Sequence, residues 1–448
     1  MANLTLPLRN IGSAGVNTDR LPVQLEQPQW SGCNNVRFES GAVIRAPHFR
    51  KIGTASAGSP NFVFGSAYPS GGSEFLIGLS DGRVIRGQAR GRNAEPWIET
   101  DLTPLEWSPH VFEAQPTTAC ELQGRIYWNR PDRGLWSMRK GDQGFTAVDG
   151  WDRETTCRAV RRLGDQIIAL NVTQGGQTIP AMVKWSDLVP FEAAKLDFGT
   201  ATTNSAGDNI LGSLTGQIVD GAELGVRMFV YSNRQVYAMT PQPTNFIFDF
   251  EERFRDRGVI SQNCIGVANN QHMVFGPDNI WCHDGTTVLW TTNDSVQRGI
   301  YDHLVREAAH RFYVLHLPAR REMMFCFVST HPDCKFPIGR EYTPNDLGDY
   351  PGCNRAAVFN YGNGLWSFSD LPYNTGGAVV QPSTGVRWEQ LAGKTWNDLR
   401  AEKTTWLDFR DRNPEIAVMV SPVRAYTPPA VTRAEATDDT FAMRRRAR

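Results

Sequence analysis

The residues most able to do chemistry here are the histidines, the carboxylates and the arginines, so their spacing comes first. None of the eight histidines stands in a His-Glu-x-x-His pattern, and His303, His310 and His316 are seven and six residues apart. That spacing does not bring three imidazoles onto one helical face beside a carboxylate, so they read as core or surface side chains, and no metal or cofactor is expected. No Gly-x-Ser-x-Gly elbow raises a serine and no phosphate-binding loop is present; Gly71-Gly72 and Gly376-Gly377 read as turns. The densest charge cluster is Glu251, Glu252, Arg253, Arg255, Asp256 and Arg257. Paired acids beside arginines can hydrolyse glycosides, but the cluster reads better as an intersubunit or channel contact. The terminal Arg444, Arg445, Arg446 and Arg448 could neutralise a few phosphates, and docking on an acidic neighbour is preferred for them. No catalytic residue is assigned, and the chain is read as a non-enzyme.

The elements that would position these groups are short strands. Residues 228–231 and 235–239 flank the turn Ser232-Asn233-Arg234, and residues 272–275 and 280–283 flank Gly276-Pro277-Asp278-Asn279. Four or five β-branched and aromatic residues followed by Gly, Pro, Asn or Asp predict a hairpin, and these two read as the best-kept pair of blade edges. The plan recurs at 75–87, at 125–138, at 166–186 across Gly175-Gly176, at 322–328 and at 356–368, with a last run around Trp406. Its inner markers are Ile85, Trp136, Trp185, Val236, Trp281, Phe325, Trp366 and Trp406, spaced at about 40 to 50 residues, the range of propeller blades. Small antiparallel sheets that cannot bury both faces alone stack radially and hide their edges. The expected fold is therefore all-β, a β-propeller of six to eight blades, with a jelly roll or sandwich as the competing architecture.

Before the body, residues 33–45 predict one hairpin, so residues 1–55 read as an arm and hairpin, 56–420 as the propeller, and 421–448 as an extended tail with a basic end. Ile300, Leu304, Val305 and Ala308 fall at helical spacing and predict a short helix between blades within 294–310.

Composition agrees with strands and turns: 41 Gly, 27 Pro, 13 Trp and 23 Phe in 448 residues. The 46 basic and 47 acidic residues leave a net charge of -1, so no global field attracts nucleic acid or an anionic membrane. The eight cysteines form no Cys-x-x-Cys pair and read as reduced apolar fillers. Neither a secretory leader nor a membrane-spanning apolar run is read in the chain, so synthesis in a cytoplasm and no membrane insertion are expected.

The wording of several stretches resembles one family. Leu21, Pro22, Pro28, Trp30, Ser31, Cys33, Asn34, Asn35, Val36, Arg37, Phe38, Gly41, Ala42, Val43 and Arg45 are similar to the start of podovirus tail nozzle or hub proteins, the packaged-DNA stabilisation proteins. So are residues 183–187, 225–239, 250–260, 274–276, 281–285, 358–361 and 365–367. The resemblance implies a non-enzymatic virion subunit in a phage tail. Hexameric rings of such subunits below the portal and adaptor would close the DNA channel, retain the packaged genome and conduct it during ejection. It also implies docking of tail fibres or spikes and contact with double-stranded DNA without sequence specificity. A near-zero net charge suits a channel through which DNA slides. The rival from another class is a glycan-binding or glycan-cleaving propeller with tryptophans as stacking platforms. For that rival, Trp185-Ser186-Asp187 and Ser80-Asp81-Gly82 are only fragments of the turn that marks sialidase-type blades. A scaffold propeller that binds peptides is a third reading.

Overall fold

Runs of β-branched and aromatic residues broken by Gly, Asn and Asp reverse the chain every few residues. The computed structural model describes residues 10–47, 59–67, 73–89, 97–107, 117–189, 196–200, 203–242, 247–332, 334, 352–380, 415–421 and 442–444. An N-terminal strap carries β1 (Gly32–Asn34) and the hairpin β2 (Val36–Glu39) and β3 (Ala42–Arg45). The first sheet is β4 (Pro60–Ala67), β5 (Ser73–Leu79), β6 (Val84–Ala89) and β7 (Trp97–Asp101). The second is β8 (Thr118–Leu122), β9 (Arg125–Arg130), β10 (Gly134–Arg139) and β11 (Thr146–Ala147). The third is β12 (Thr156–Leu163), β13 (Gln166–Gln174), β14 (Gln177–Trp185) and β15 (Gly207–Ile210). The fourth is β16 (Ile218–Leu224), β17 (Arg227–Ser232), β18 (Gln235–Pro241) and β19 (Phe248–Arg255). The fifth is β20 (Ile265–Ala268), β21 (Gln271–Phe275), β22 (Ile280–His283) and β23 (Val288–Thr291). The sixth is β24 (Tyr313–Leu317), β25 (Glu322–Phe327), β26 (Cys353–Asn360) and β27 (Leu365–Asn374). A hairpin of β28 (Gly376–Val380) and β29 (Ile416–Val420) follows, and β30 (Ala442–Arg444) pairs with β1.

Each four-stranded sheet is an antiparallel meander in chain order. The first strands β4, β8, β12, β16, β20 and β24 all wall one central cavity, so the sheets are arranged radially as a six-bladed propeller. The two-stranded β28–β29 hairpin joins them, since β28 also lines that cavity. The hydrophobic core lies in layers between blades. Leu76 and Val84 of the first blade meet Ile126, Trp128 and Trp136 of the second. Ile168 and Trp185 of the third meet Val230 and Met239 of the fourth. Val418 and Val420 of the hairpin meet Phe75 and Ile77 of the first blade. No sheet could bury both faces alone, and each aliphatic face is covered by its neighbour.

The strands and turns expected at 75–87, 125–138 and 166–186 fold as hairpins β5–β6, β9–β10 and β13–β14. The two leading hairpins are not blade edges: β17–β18 and β21–β22 are the middle strands of the fourth and fifth blades. Of the markers, Ile85, Trp136, Trp185, Val236 and Trp281 each fall on the third strand of a successive blade. Phe325 and Trp366 share the sixth blade, because the long stretch between β25 and β26 separates two halves of one sheet and lets the second half read as an independent unit. Trp406 lies outside the described residues. The helical spacing at 294–310 is realised as α1 (Gln297–Tyr301) and a 3-10 turn at Arg306–Arg311, with Ile300, Val305 and Ala308 buried. All eight cysteines are free and buried, and burial raises the thiol of Cys282 to about 12. Among the described residues no helix is long and apolar enough to cross a membrane.

Candidate functional site

The central cavity encloses about 860 Å³, the size of a small-molecule pocket. One residue bridges its floor. Asn263 precedes β20 in a left-handed conformation (φ 58°), which asparagine tolerates better than most side chains. Its amide nitrogen donates to the Asp220 carboxylate at 2.8 Å, and its side-chain Nδ2 donates to the Thr117 carbonyl at 3.1 Å. Its Oδ1 accepts from Arg161 Nη2 at 3.0 Å, and its carbonyl accepts from Val314 N at 2.8 Å. Asn263 therefore ties the entrance to the second blade, the third, the fourth and the sixth together across the axis.

Arg161 reaches Asp220 through two bonds of 2.9 and 2.8 Å, with the carboxylate side chain 1% exposed. Exposure rises away from this floor. Arg162 and Glu223 pair at 3.4 Å with side chains 56% and 28% exposed, and Lys140 pairs with Glu121 at 2.6 Å. The cavity is thus a cup whose charges satisfy one another. His316 sits on its wall 3.0 Å from the Tyr361 hydroxyl. Burial holds both His316 and His310 below the usual imidazole range, with Arg311 pushing His310 the same way. Among the described residues no group of three or more His, Cys, Asp or Glu could hold a metal ion.

The predicted charge cluster lies elsewhere. Glu251, Glu252, Arg253 and Arg255 are on β19, the outermost strand of the fourth blade, and Asp256 and Arg257 follow it. This is the outer edge of the blade, away from the central cavity. Arg253 pairs with Glu251 at 2.7 Å and Arg255 with Glu252 at 2.8 Å, while Arg257 lies over the Trp281 ring at 5.8 Å. The Arg255 guanidinium holds the Glu252 carboxyl below its ordinary range. A register shift between Val236 and Tyr237 bulges the strand near Arg253. Alternating charges and a bulge are the features by which edge strands avoid pairing with other strands, so any contact here is made through side chains. Arg444 falls in β30, opposite Gly32 of β1; Arg445, Arg446 and Arg448 lie outside the described residues.

Sequence reasoning missed a buried polar chain in the fifth blade. His272 and His283 are cross-strand partners of β21 and β22, and both are fully buried. Gly285 N donates to His283 Nδ1 at 2.9 Å, so His283 carries its proton on Nε2 and donates it to Tyr231 Oη at 2.6 Å. Tyr231 donates to His272 Nδ1 at 2.7 Å, and His272 Nε2 donates to the Glu223 carbonyl at 3.0 Å. Every member is satisfied only if both imidazoles are neutral. Burial lowers His272 to about 4 and His283 to about 3. The signal was available: with the turn at 276–279, hairpin register alone places position 272 opposite 283.

A second set missed from sequence fastens the strap. Arg37, 4% exposed, donates from Nε to Glu322 Oε1 at 2.9 Å and from Nη1 to Ser369 Oγ at 2.8 Å. Asn34 and Asn35 donate to Asp370 Oδ2 at 2.7 and 2.9 Å, and Asn363 donates to the Phe38 carbonyl at 2.7 Å.

The tryptophans bear on the glycan reading. Trp30, Trp107, Trp128, Trp136, Trp151, Trp185, Trp281 and Trp366 are buried, and Trp290 packs on Phe359 and Trp366. These rings are core rather than stacking platforms. Asp187 accepts from the Ser205 amide and hydroxyl, and Asp81 from the Arg83 amide, so both turn fragments are occupied by local bonds. No protein-family model and no curated protein matches the chain.

Proposed function

We propose that the chain is a structural subunit of a phage tail nozzle or hub, acting without catalysis. Copies of it assemble as a hexameric ring below the portal and adaptor, close the DNA channel, retain the packaged genome and conduct it during ejection. The observation that carries this reading is a convergence. The stretches that resemble the nozzle family are scattered from residue 21 to residue 367, yet most of them pack into one core. Trp30, Cys33, Val36 and Phe38 of the strap share it with Val236 and Ala238, with Val259, with Val274, Phe275 and Trp281, and with Val358, Phe359 and Trp366.

The fold also constrains where DNA would pass. The central cavity has the volume of a small-molecule pocket, and Asn263 bonds to the neighbouring blades across it, so on this reading the conduit lies between subunits and the cavity is not part of it. Contacts with the adaptor, with fibres or spikes and with neighbouring copies are then made by the outer strands and loops, and the protein resides in the virion after synthesis in the host cytoplasm. Native mass spectrometry of the purified chain, alone and with its adaptor, tests the reading. A sixfold mass is expected. A monomer that ignores the adaptor and binds or cleaves a surface polysaccharide would overturn it.

A further inference from the structure

A ring of blades made from one chain has a seam where the last blade meets the first. Here all six sheets are continuous in sequence, so no blade is built from both ends of the chain and the seam must be closed another way. The β28–β29 hairpin fills it: Val418 and Val420 pack on the first blade, and Met419 and Val379 pack on the core of the last. The hairpin leaves β27 after one residue, Thr375, whose Oγ1 donates to the Pro60 carbonyl of the first blade at 2.8 Å, while Ser421 Oγ donates to the Pro372 carbonyl of the sixth at 2.7 Å.

We infer that the N-terminal strap, residues 16–46, is the clasp that closes the propeller. Its two ends are fastened to the stretch before the sixth blade and to the sixth blade itself. At the first, Asn17 Nδ2 donates to the Asp294 carbonyl at 2.9 Å, and Asp19 accepts from the Gln297 and Arg298 amides at 3.2 and 2.8 Å, capping α1. Thr18 Oγ1 accepts from the Gly299 amide at 3.0 Å. At the second, Asn35 exchanges bonds with Asp370, accepting from its amide at 3.0 Å, and Arg37 reaches Glu322, Ser367 and Ser369. Val16, Trp30, Cys33, Val36 and Phe38 fill the core of the fifth and sixth blades.

The first blade begins at Pro60, shortly after the strap ends. A strap fixed on the sixth blade therefore tethers the first blade to it through the backbone. The noncovalent clasp and the peptide chain together convert an open row of blades into a loop. The Arg37–Glu322 pair is its buried latch, with side chains 5% and 1% exposed. This inference rests on the fold alone and does not depend on the proposed role in a phage tail.

Hydrogen–deuterium exchange of the full chain, read by mass spectrometry, tests it. In Arg37→Ala the Glu322 carboxylate stays buried without its cation, and exchange across the seam strands β4, β28 and β29 should rise about a hundred-fold or more while β13 and β17 keep their protection. The double variant Arg37→Met with Glu322→Met removes both charges and should restore protection at the seam. Asp370→Asn, which weakens the two asparagine bonds, is the milder variant should Arg37→Ala fail to fold, and it should loosen the same strands. A change confined to the strap and its direct partners, with the seam unaltered, would overturn the inference. So would an equal loss across all six blades.

Discussion

At the scale of single residues, the Tyr231–His272–His283 chain makes the sharpest demands, because each proton has one place to go. Protonating either imidazole puts two donors face to face in a buried site. The unfolded chain binds those protons near the ordinary histidine value of about 6.5, whereas the folded values are about 4 and about 3. Below 6.5 the unfolded state holds more protons, so stability is full above that value and falls as pH drops toward 4 and 3. Urea denaturation at pH 7.5, 6, 5 and 4 should show this decline, and His272→Gln with His283→Gln should flatten it; an unchanged slope in the variant would contradict the assignment. Tyr231→Phe leaves a buried His283 N–H without an acceptor and His272 Nδ1 without a donor. It should cost about 1–3 kcal/mol in the same denaturation experiment. Residue chemistry of this kind was half legible in the sequence. The two histidines sat on correctly predicted strands, but Tyr231 comes from the neighbouring blade, and nothing local says that blades four and five meet there.

At the scale of elements, two features of similar charge content have opposite worth. The Asn263 hub joins its own blade to four others, so Asn263→Ala loses its two side-chain bonds and sets at a φ of 58° an alanine, which tolerates the left-handed region less well than asparagine. A loss of about 2–4 kcal/mol is expected by chemical denaturation. Asn263→Gly tolerates that φ and should cost less, and equal losses in the two variants would show that the backbone conformation contributes nothing. The rim cluster behaves differently: Arg255 is 79% exposed at its side chain, and Arg255→Ala should leave the chemical denaturation midpoint essentially unchanged. Its effect belongs to assembly, where a weaker ring with an unchanged melting temperature would mark Arg255 as an intersubunit contact. The strand pattern and the turn residues were readable along the chain because hairpin pairing is local. What was not readable is what pairs across hundreds of residues. Arg37 meets Glu322 285 positions away and Asn35 meets Asp370 335 positions away, so along the chain the strap reads only as an arm and hairpin ahead of the body. The sixth blade was read as two units for the same reason, its second and third strands being separated by a long stretch.

At the scale of the whole molecule, the central claim is that this propeller is a building block whose central cavity is of small-molecule size and whose neighbours surround a passage. The near balance of 46 basic and 47 acidic residues fits a wall along which a polyanion moves without being held. Among the described residues, the burial of the tryptophans and the pairing of the cup's charges support this reading over a sugar-binding one. Negative-stain electron microscopy of the purified protein with its adaptor tests it most directly. The account predicts six-fold class averages in which six propeller-sized densities ring one open channel. Single propellers that never associate, or particles whose only opening runs through the propeller axis, would contradict it.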